Sequence, residues 1–204
     1  MILVINAHPN PNSFGAALSE AYAEGARMSA DIDRLGLADL RFDPVLRAGF
    51  DEGQPLEPDL VDARRRIEKA KHVVWFFPTW WVGPPALLKG FIDRTFLPGW
   101  AFRYTDGALP DPLLARRSSR VVTTMDSPRW WYGLWHRRAV HAAFVNGTLR
   151  FVGFSPVRQT TLYGVRTMSP EKRMRAIEEL RRVGRRDAAR WPKQLAAESS
   201  TASR

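Results

Sequence analysis

The sequence predicts one α/β domain built on an open parallel sheet with helices on both faces. Its 204 residues fit one large domain, its 45% hydrophobic content can fill a sizeable core, and five apolar runs alternate along it with helical patterns. Parallel strands need crossover connections, and right-handed ones dominate, so such alternation places helices on either side of a sheet.

Residues 2–7 are short, apolar and bounded by His8-Pro9-Asn10-Pro11-Asn12, which predicts a fully buried first strand. Ser13 is placed to cap the helix that follows, with Ala17, Leu18, Ala21, Tyr22 and Met28 at helical spacing on one face. A weaker strand over 32–40 precedes a loop over 42–58 rich in proline and glycine, a place where function can reside. A charged helix over 59–70 leads to the clearest strand, His72-Val-Val-Trp-Phe-Phe77, which stops at Pro78. Pro84 and Pro85 open a helix to about Phe96, in keeping with proline's place in a first turn. Strand four is 120–125. A tryptophan-rich connection, a helix over 137–151, a strand over 157–162 and a last helix from Ser169 to about Trp191 complete a domain over 1–192, leaving 193–204 as a flexible tail.

The chain has no cysteine, which excludes a disulfide framework, a thiolate zinc site and cysteine nucleophilic catalysis, and fits a cytoplasmic protein; no metal site is expected. No apolar run approaches the roughly 18 residues of a membrane span, and Met1-Ile2-Leu3-Val4-Ile5 has neither the basic region nor the cleavage site of a signal peptide. The net charge of +10 is unevenly placed: residues 157–204 hold 12 Lys/Arg against 5 Asp/Glu, and the rest hold 19 against 16. In the last helix the arginines come as adjacent pairs, Arg181-Arg182 and Arg185-Arg186, without interleaved aromatics. That pattern reads as a solvated face and not as a nucleic-acid surface.

In open parallel sheets ligands bind beyond the carboxyl ends of the strands, which directs attention to the loops after strands one, three and four. The first, His8 to Gly15, runs into a helix N-terminus, where free N–H groups, the helix dipole and the Ser13 hydroxyl can hold a phosphate, with His8 beside it. Neither GxGxxG nor GxxxxGK[ST] is present, so the loop is not one of the usual nucleotide fingerprints. The second, Pro78 to Pro85, sets Trp80 and Trp81 in a glycine and proline turn, where two neighbouring indoles cannot easily both point inward. A planar ligand stacked on them, its edge held by backbone amides of Thr79 to Val82, uses these residues well.

The run FPTWWVGPPALLKGFIDRTFLPGWAFRY, from Phe77 to Tyr104, resembles the flavodoxin-like NAD(P)H:quinone oxidoreductases, which include DT-diaphorase, bacterial quinone reductases and the ancillary flavoproteins of potassium efflux systems. His8-Pro9 with Ser13-Phe14, Thr123-Thr124 and Phe151-Val-Gly-Phe154 extend the resemblance over nearly the whole chain. It implies a flavodoxin-like open five-stranded parallel sheet of order 2-1-3-4-5. It also implies a noncovalent flavin, FMN or FAD, with its phosphate on Ser13, Phe14 and Gly15 near His8. The ring would lie along Pro78, Thr79, Trp80, Trp81 and Val82 and meet Thr123, Thr124 and the backbone of Met125 and Asp126.

Phe102 and Tyr104 match aromatics that cap the substrate pocket from the neighbouring subunit, with Trp131 in the same pocket, so a homodimer is expected. The implied activity is ping-pong, two-electron reduction of quinone-like acceptors by NAD(P)H, with azo or nitro reduction as a substrate variant. A regulatory role beside a membrane transporter, without insertion in the membrane, is the alternative. Met125-Asp126 replaces the Gly-Gly of many relatives, and an inward carboxylate there would disfavour an anionic reduced flavin. Tyr132 and His136 are candidates by residue type for a proton relay, whereas His72 and His141 read as satisfied structural histidines.

Overall fold

The computed structural model describes residues 1–49 and 53–201, with side chains described to residue 190. Five parallel strands form one sheet: β1 (Ile2–Asn6), β2 (Ile32–Gly36), β3 (His72–Pro78), β6 (Arg117–Met125) and β7 (Phe154–Tyr163), in the order β2-β1-β3-β6-β7. Renumbered among themselves they stand 2-1-3-4-5, as expected. A two-stranded antiparallel hairpin, β4 (Phe102–Arg103) with β5 (Asp111–Pro112), lies outside it and was not foreseen.

Alternation along the strands sorts side chains to the two faces. Ile2, Val4, Val74, Phe76 and Val122 pack with helices α1 (Phe14–Ala26) and α6 (Pro170–Thr201). Leu3, Ile5, Val73, Trp75, Phe77 and Val121 pack on the other face with helices α2 (Pro58–Lys69) and α3 (Ala86–Thr95) and with a π-helical segment over Ala142–Arg150. All seven residues of β3 are buried, as a strand covered on both faces requires.

The α1 face differs from the expected one. Leu18, Ala21 and Tyr22 are buried, but Ala17 is exposed and Met28 lies past the helix end at 66% exposure. The buried stripe continues instead through Ala23, Gly25 and Ala26 because α6 crosses there at backbone contact. A Cβ on Gly25 would fall 1.9 Å from the Arg181 carbonyl oxygen, and one on Gly184 would fall 2.1 Å from that of Tyr22.

Several boundaries also move. β2 stops at Gly36 and gives way to a 3₁₀ turn over Leu37–Asp39. β6 starts three residues early because its polar beginning finds partners inside: Ser118 Oγ lies 2.8 Å from His72 Nδ1, Ser119 Oγ donates to the Val73 carbonyl, and Arg120 pairs with Asp187. The helix expected over 137–151 is found as α5 (Ala139–His141) running directly into the π-helical segment, while the tryptophan-rich connection before it forms a further short helix, α4 (Arg129–Leu134), with Arg137 and Arg138 in left-handed backbone (φ 46° and 55°) between α4 and α5. The last helix runs on to Thr201, and the expectation of a flexible tail over 193–204 falls outside the residues whose side chains are described.

The 42–58 loop is tied down by Arg94, whose buried guanidinium donates to the carbonyls of Asp43 and Pro55 at 2.6 and 2.7 Å and pairs with Glu57 at 2.9 Å.

Candidate functional site

The carboxyl ends of β1, β3 and β6 are adjacent, so the three loops singled out by sequence meet at one end of the sheet. Beyond β1, His8 is half-buried, and burial of its ring lowers its pKa. The Asn10 N–H donates to Nδ1 at 2.9 Å, which leaves the proton of the neutral ring on Nε2. The Ser13 Oγ accepts the Ala16 N–H at 3.1 Å as the α1 cap. Helical geometry then leaves the N–H groups of Phe14 and Gly15 without intrahelical acceptors, at the positive end of the dipole. Arg173 lies over the Phe14 ring at 4.9 Å and fixes α6 beside that end.

Beyond β3, the Thr79 N–H donates to the Thr124 carbonyl at 2.7 Å, which ties the loop to β6. Trp80 and Gly83 exchange N–H to carbonyl bonds at 2.9 Å around a turn in which Trp81 and Val82 both have positive φ, 50° and 60°. Such backbone is strained for bulky or β-branched residues, and strain of this kind collects at ligand sites. It lifts Trp81 fully into solvent and leaves Trp80 half-exposed with its ring 5.7 Å from that of His8, edge to face. The first two loops are thereby in contact. Thr79 Oγ1 is buried among the described residues without a hydrogen-bond partner, a donor and acceptor kept dry.

At the end of β6 the residues divide. Thr123 is buried and its hydroxyl donates to Thr161 Oγ1 at 3.2 Å, so its side chain is spent on β7 and only backbone is left to face the slot. Met125 belongs to the core. Asp126 accepts the Arg166 N–H at 2.7 Å, which directs its carboxylate to the β7–α6 connection.

Tyr132 is buried, but its hydrogen-bonding histidine is His141 and not His136. Tyr132 Oη lies 2.7 Å from His141 Nδ1 and accepts the His141 backbone N–H at 3.4 Å, while His141 Nε2 lies 3.1 Å from Thr161 Oγ1. Burial, and after it the charge of Arg138, hold the His141 imidazole at a pKa of about 4; burial raises the Tyr132 phenol. His136 Nε2 instead accepts the indole N–H of Trp131 at 3.1 Å, and Trp131 stacks on Trp135 at 5.2 Å. No spacing rule reaches His141, because the left-handed break at Arg137-Arg138 folds it back onto Tyr132 nine positions away.

The hairpin aromatics also differ from expectation. Phe102 is buried on its own chain against Phe151, at 5.2 Å, and Trp100 donates to Glu68 and sits under Arg64; Tyr104 alone of the three is largely exposed, at 65%.

A family profile described as a flavodoxin-like fold matches residues 1–184. The chain is similar to NAD(P)H dehydrogenase (quinone) 1 of Rattus norvegicus, 24% identical over 204 residues that cover 86% of this chain and 73% of the rat protein. Smu.1420 from Streptococcus mutans UA159 superimposes with a TM-score of 0.81 at 27% identity, over 91% of this chain and 98% of that one. An FMN-dependent NADH-azoreductase from Bacillus anthracis, solved in complex with FMN, shares the fold with a TM-score of 0.72 at 18% identity, over 92% of this chain and 98% of that one. The matched stretch runs from β1 into α6 and takes in all five strands of the sheet, and the chain belongs to the Flavodoxin_2 family of flavodoxin-like folds.

Proposed function

We propose that this chain is a flavin-dependent NAD(P)H oxidoreductase that reduces quinones or similar electrophilic acceptors by two electrons, with azo and nitro compounds as further acceptors of the same slot. The observation that carries the reading is the strained Trp80–Gly83 turn held against His8 beside the α1 N-terminus. An aromatic wall and an anion cradle stand side by side there, with the Thr79 hydroxyl, without a hydrogen-bond partner among the described residues, at the foot of the wall. The name of the rat relative and the FMN of the azoreductase support it.

The residues fit FMN or the corresponding part of FAD. Ser13, Phe14 and Gly15 would hold the phosphate with His8 beside them. Pro78 to Val82 would hold the ring, with the backbone of Thr123 to Asp126 at its opposite edge. When bound, the flavin supplies the hydride chemistry between NAD(P)H and acceptor. With Trp80 and Trp81 on the wall that holds the ring, donor and acceptor would stack in turn over its open face, so a single slot requires ping-pong kinetics. Because the Thr79, Trp80 and Gly83 N–H groups are engaged within the protein, the Trp81 and Val82 amides are the ones that would offer fixed dipoles to negative charge gained on reduction. Tyr132 and neutral His141 hold one exchangeable proton between Oη and Nδ1, available to an acceptor oxygen.

No helix among the described residues is long and apolar enough to cross a membrane, and the absence of cysteine suits the reducing cytoplasm that we assign as its compartment. The test is the absorption spectrum of the purified protein, with the released flavin identified by mass. Uptake of FMN or FAD at micromolar concentration and parallel initial-rate lines with NAD(P)H and a benzoquinone are expected. A protein that takes up neither flavin refutes the proposal.

A further inference from the structure

Beside the Tyr132–His141 pair, on the β7 side of the sheet, lies a second open cavity of about 410 Å³ walled by Arg129, Tyr132, Arg138, Gln159, Thr161 and Tyr163. It shares none of these walls with the Trp80 turn. We propose that this cavity is an oxyanion site, built to hold a phosphoryl or carboxylate group of a small molecule.

The donor set carries the proposal. Two arginines line the cavity, Arg129 at the start of α4 and Arg138 in the reversal between α4 and α5, and no carboxylate is among the described residues that line it. Asp126, the acidic residue closest to Arg129 in the chain, is engaged by the Arg166 N–H. Arg138 donates to Gln159 Oε1 at 2.7 Å, which turns the Gln159 NH₂ outward as a further donor.

The neighbouring network fixes a third donor. Tyr132 Oη accepts the His141 backbone N–H, and in the tautomer in which it donates its own proton to Nδ1 the neutral imidazole carries a proton on Nε2. That proton goes to Thr161 Oγ1, which also accepts from Thr123. The Thr161 hydrogen is left for the cavity. Guanidinium, amide and hydroxyl donors thus converge without an acceptor of matching charge, the complement of a carboxylate or phosphate.

The backbone supports the same reading. Arg137 and Arg138 are successive non-glycine residues in the left-handed region, an arrangement that costs free energy and brings Arg138 to the cavity wall. Arg138 also depresses the His141 pKa, so an anion neutralising it would be felt at the imidazole.

The experiment is calorimetric titration of the purified protein with inorganic pyrophosphate, which needs neither flavin nor turnover. Saturable binding is expected, weakened about tenfold or more in Arg129→Gln and in Arg138→Gly, as loss of a charge-assisted bond implies. Glycine suits φ 55°, so Arg138→Gly folds at least as well as the parent and a loss of binding in it is not a loss of fold. Absence of saturable heat up to about 10 mM, or heat undiminished in both variants, overturns the proposal; the second result would place the anion at the α1 N-terminus. A companion titration separates two sources of the group. If it is the extra phosphate of NADPH, the variants lose discrimination between NADPH and NADH; if it is a free anion, pyrophosphate binding is unaffected by either dinucleotide. A protein that binds pyrophosphate through Arg129 and Arg138 but takes up no flavin retains this site while losing the oxidoreductase reading.

Discussion

The Ser13 hydroxyl accepts the Ala16 N–H and keeps its own proton free to donate toward the His8–Gly15 loop, so one oxygen serves both the cap and the phosphate cradle. Ser13→Ala is therefore expected to weaken flavin binding by about 1 kcal/mol, roughly fivefold in the dissociation constant, and to lower the melting temperature slightly. Fluorescence titration with FMN checks the first, and an unchanged constant would move the phosphate elsewhere.

His141 gives a pH signature. Its folded pKa of about 4 lies below the unfolded value near 6.5, so the native state holds it neutral where the unfolded chain protonates it. Stability from this group is complete above about pH 6.5 and is lost as the pH falls toward 4. Melting temperatures across that window should decline in the parent and decline less in His141→Asn. The sequence offered Tyr132 by type but paired it with His136, because helical spacing alone carries no record of a left-handed break.

Among the elements, α6 is held to the sheet by a buried polar cluster at the end opposite the slot. Asp187 accepts from Arg120 at 2.5 and 2.9 Å and from Tyr22 Oη at 3.0 Å, with the His72 ring 3.7 Å away. Burial alone would raise this carboxyl, but the adjacent His72 ring together with the hydrogen bonds and charge of Arg120 hold it far below the usual range. A depressed carboxylate contributes stability that is full above about pH 4 and is lost as the pH falls further. Asp187→Asn strands the Arg120 charge and should cost about 3–5 kcal/mol near neutral pH. Urea unfolding checks this, and the gap to the parent should narrow below pH 4. Strand and helix identity for these elements was legible from apolar runs and caps, whereas the early start of β6 was not. Ser118 and Ser119 look like loop residues until their partners on β3 are in place.

At the scale of the whole molecule, one part of the outer surface is apolar. Between α3 and the π-helical segment lies a cavity of about 240 Å³ walled largely by Pro84, Leu88, Ile92, Ala143 and Phe144, and Tyr104, Leu109 and Leu113 of the neighbouring hairpin are exposed. We propose that a second copy covers this surface and brings Tyr104 to its partner's slot; burial of Phe102 and Trp100 on their own chain leaves Tyr104 as the hairpin residue free for that role. Light scattering at low micromolar concentration should give twice the chain mass of 23.2 kDa. A mass near 23.2 kDa would leave Tyr104 without a role in the slot.

Local signals in the chain were enough for the α/β class, the five strands, the Ser13 cap and the loops that carry the candidate slot, because strand burial, capping and turn chemistry are written in neighbouring residues. The FPTWW run named the family for the same reason: its residues act within one turn of backbone. Tertiary structure alone decided that Tyr132 meets His141, that Thr123 turns to Thr161, that Asp126 faces Arg166 and that Arg129 and Arg138 wall one cavity. Those pairings join residues brought together by chain reversals or by the packing of separate strands, and a side chain's partner across such a distance is fixed by the folded geometry and not by the residues beside it in sequence.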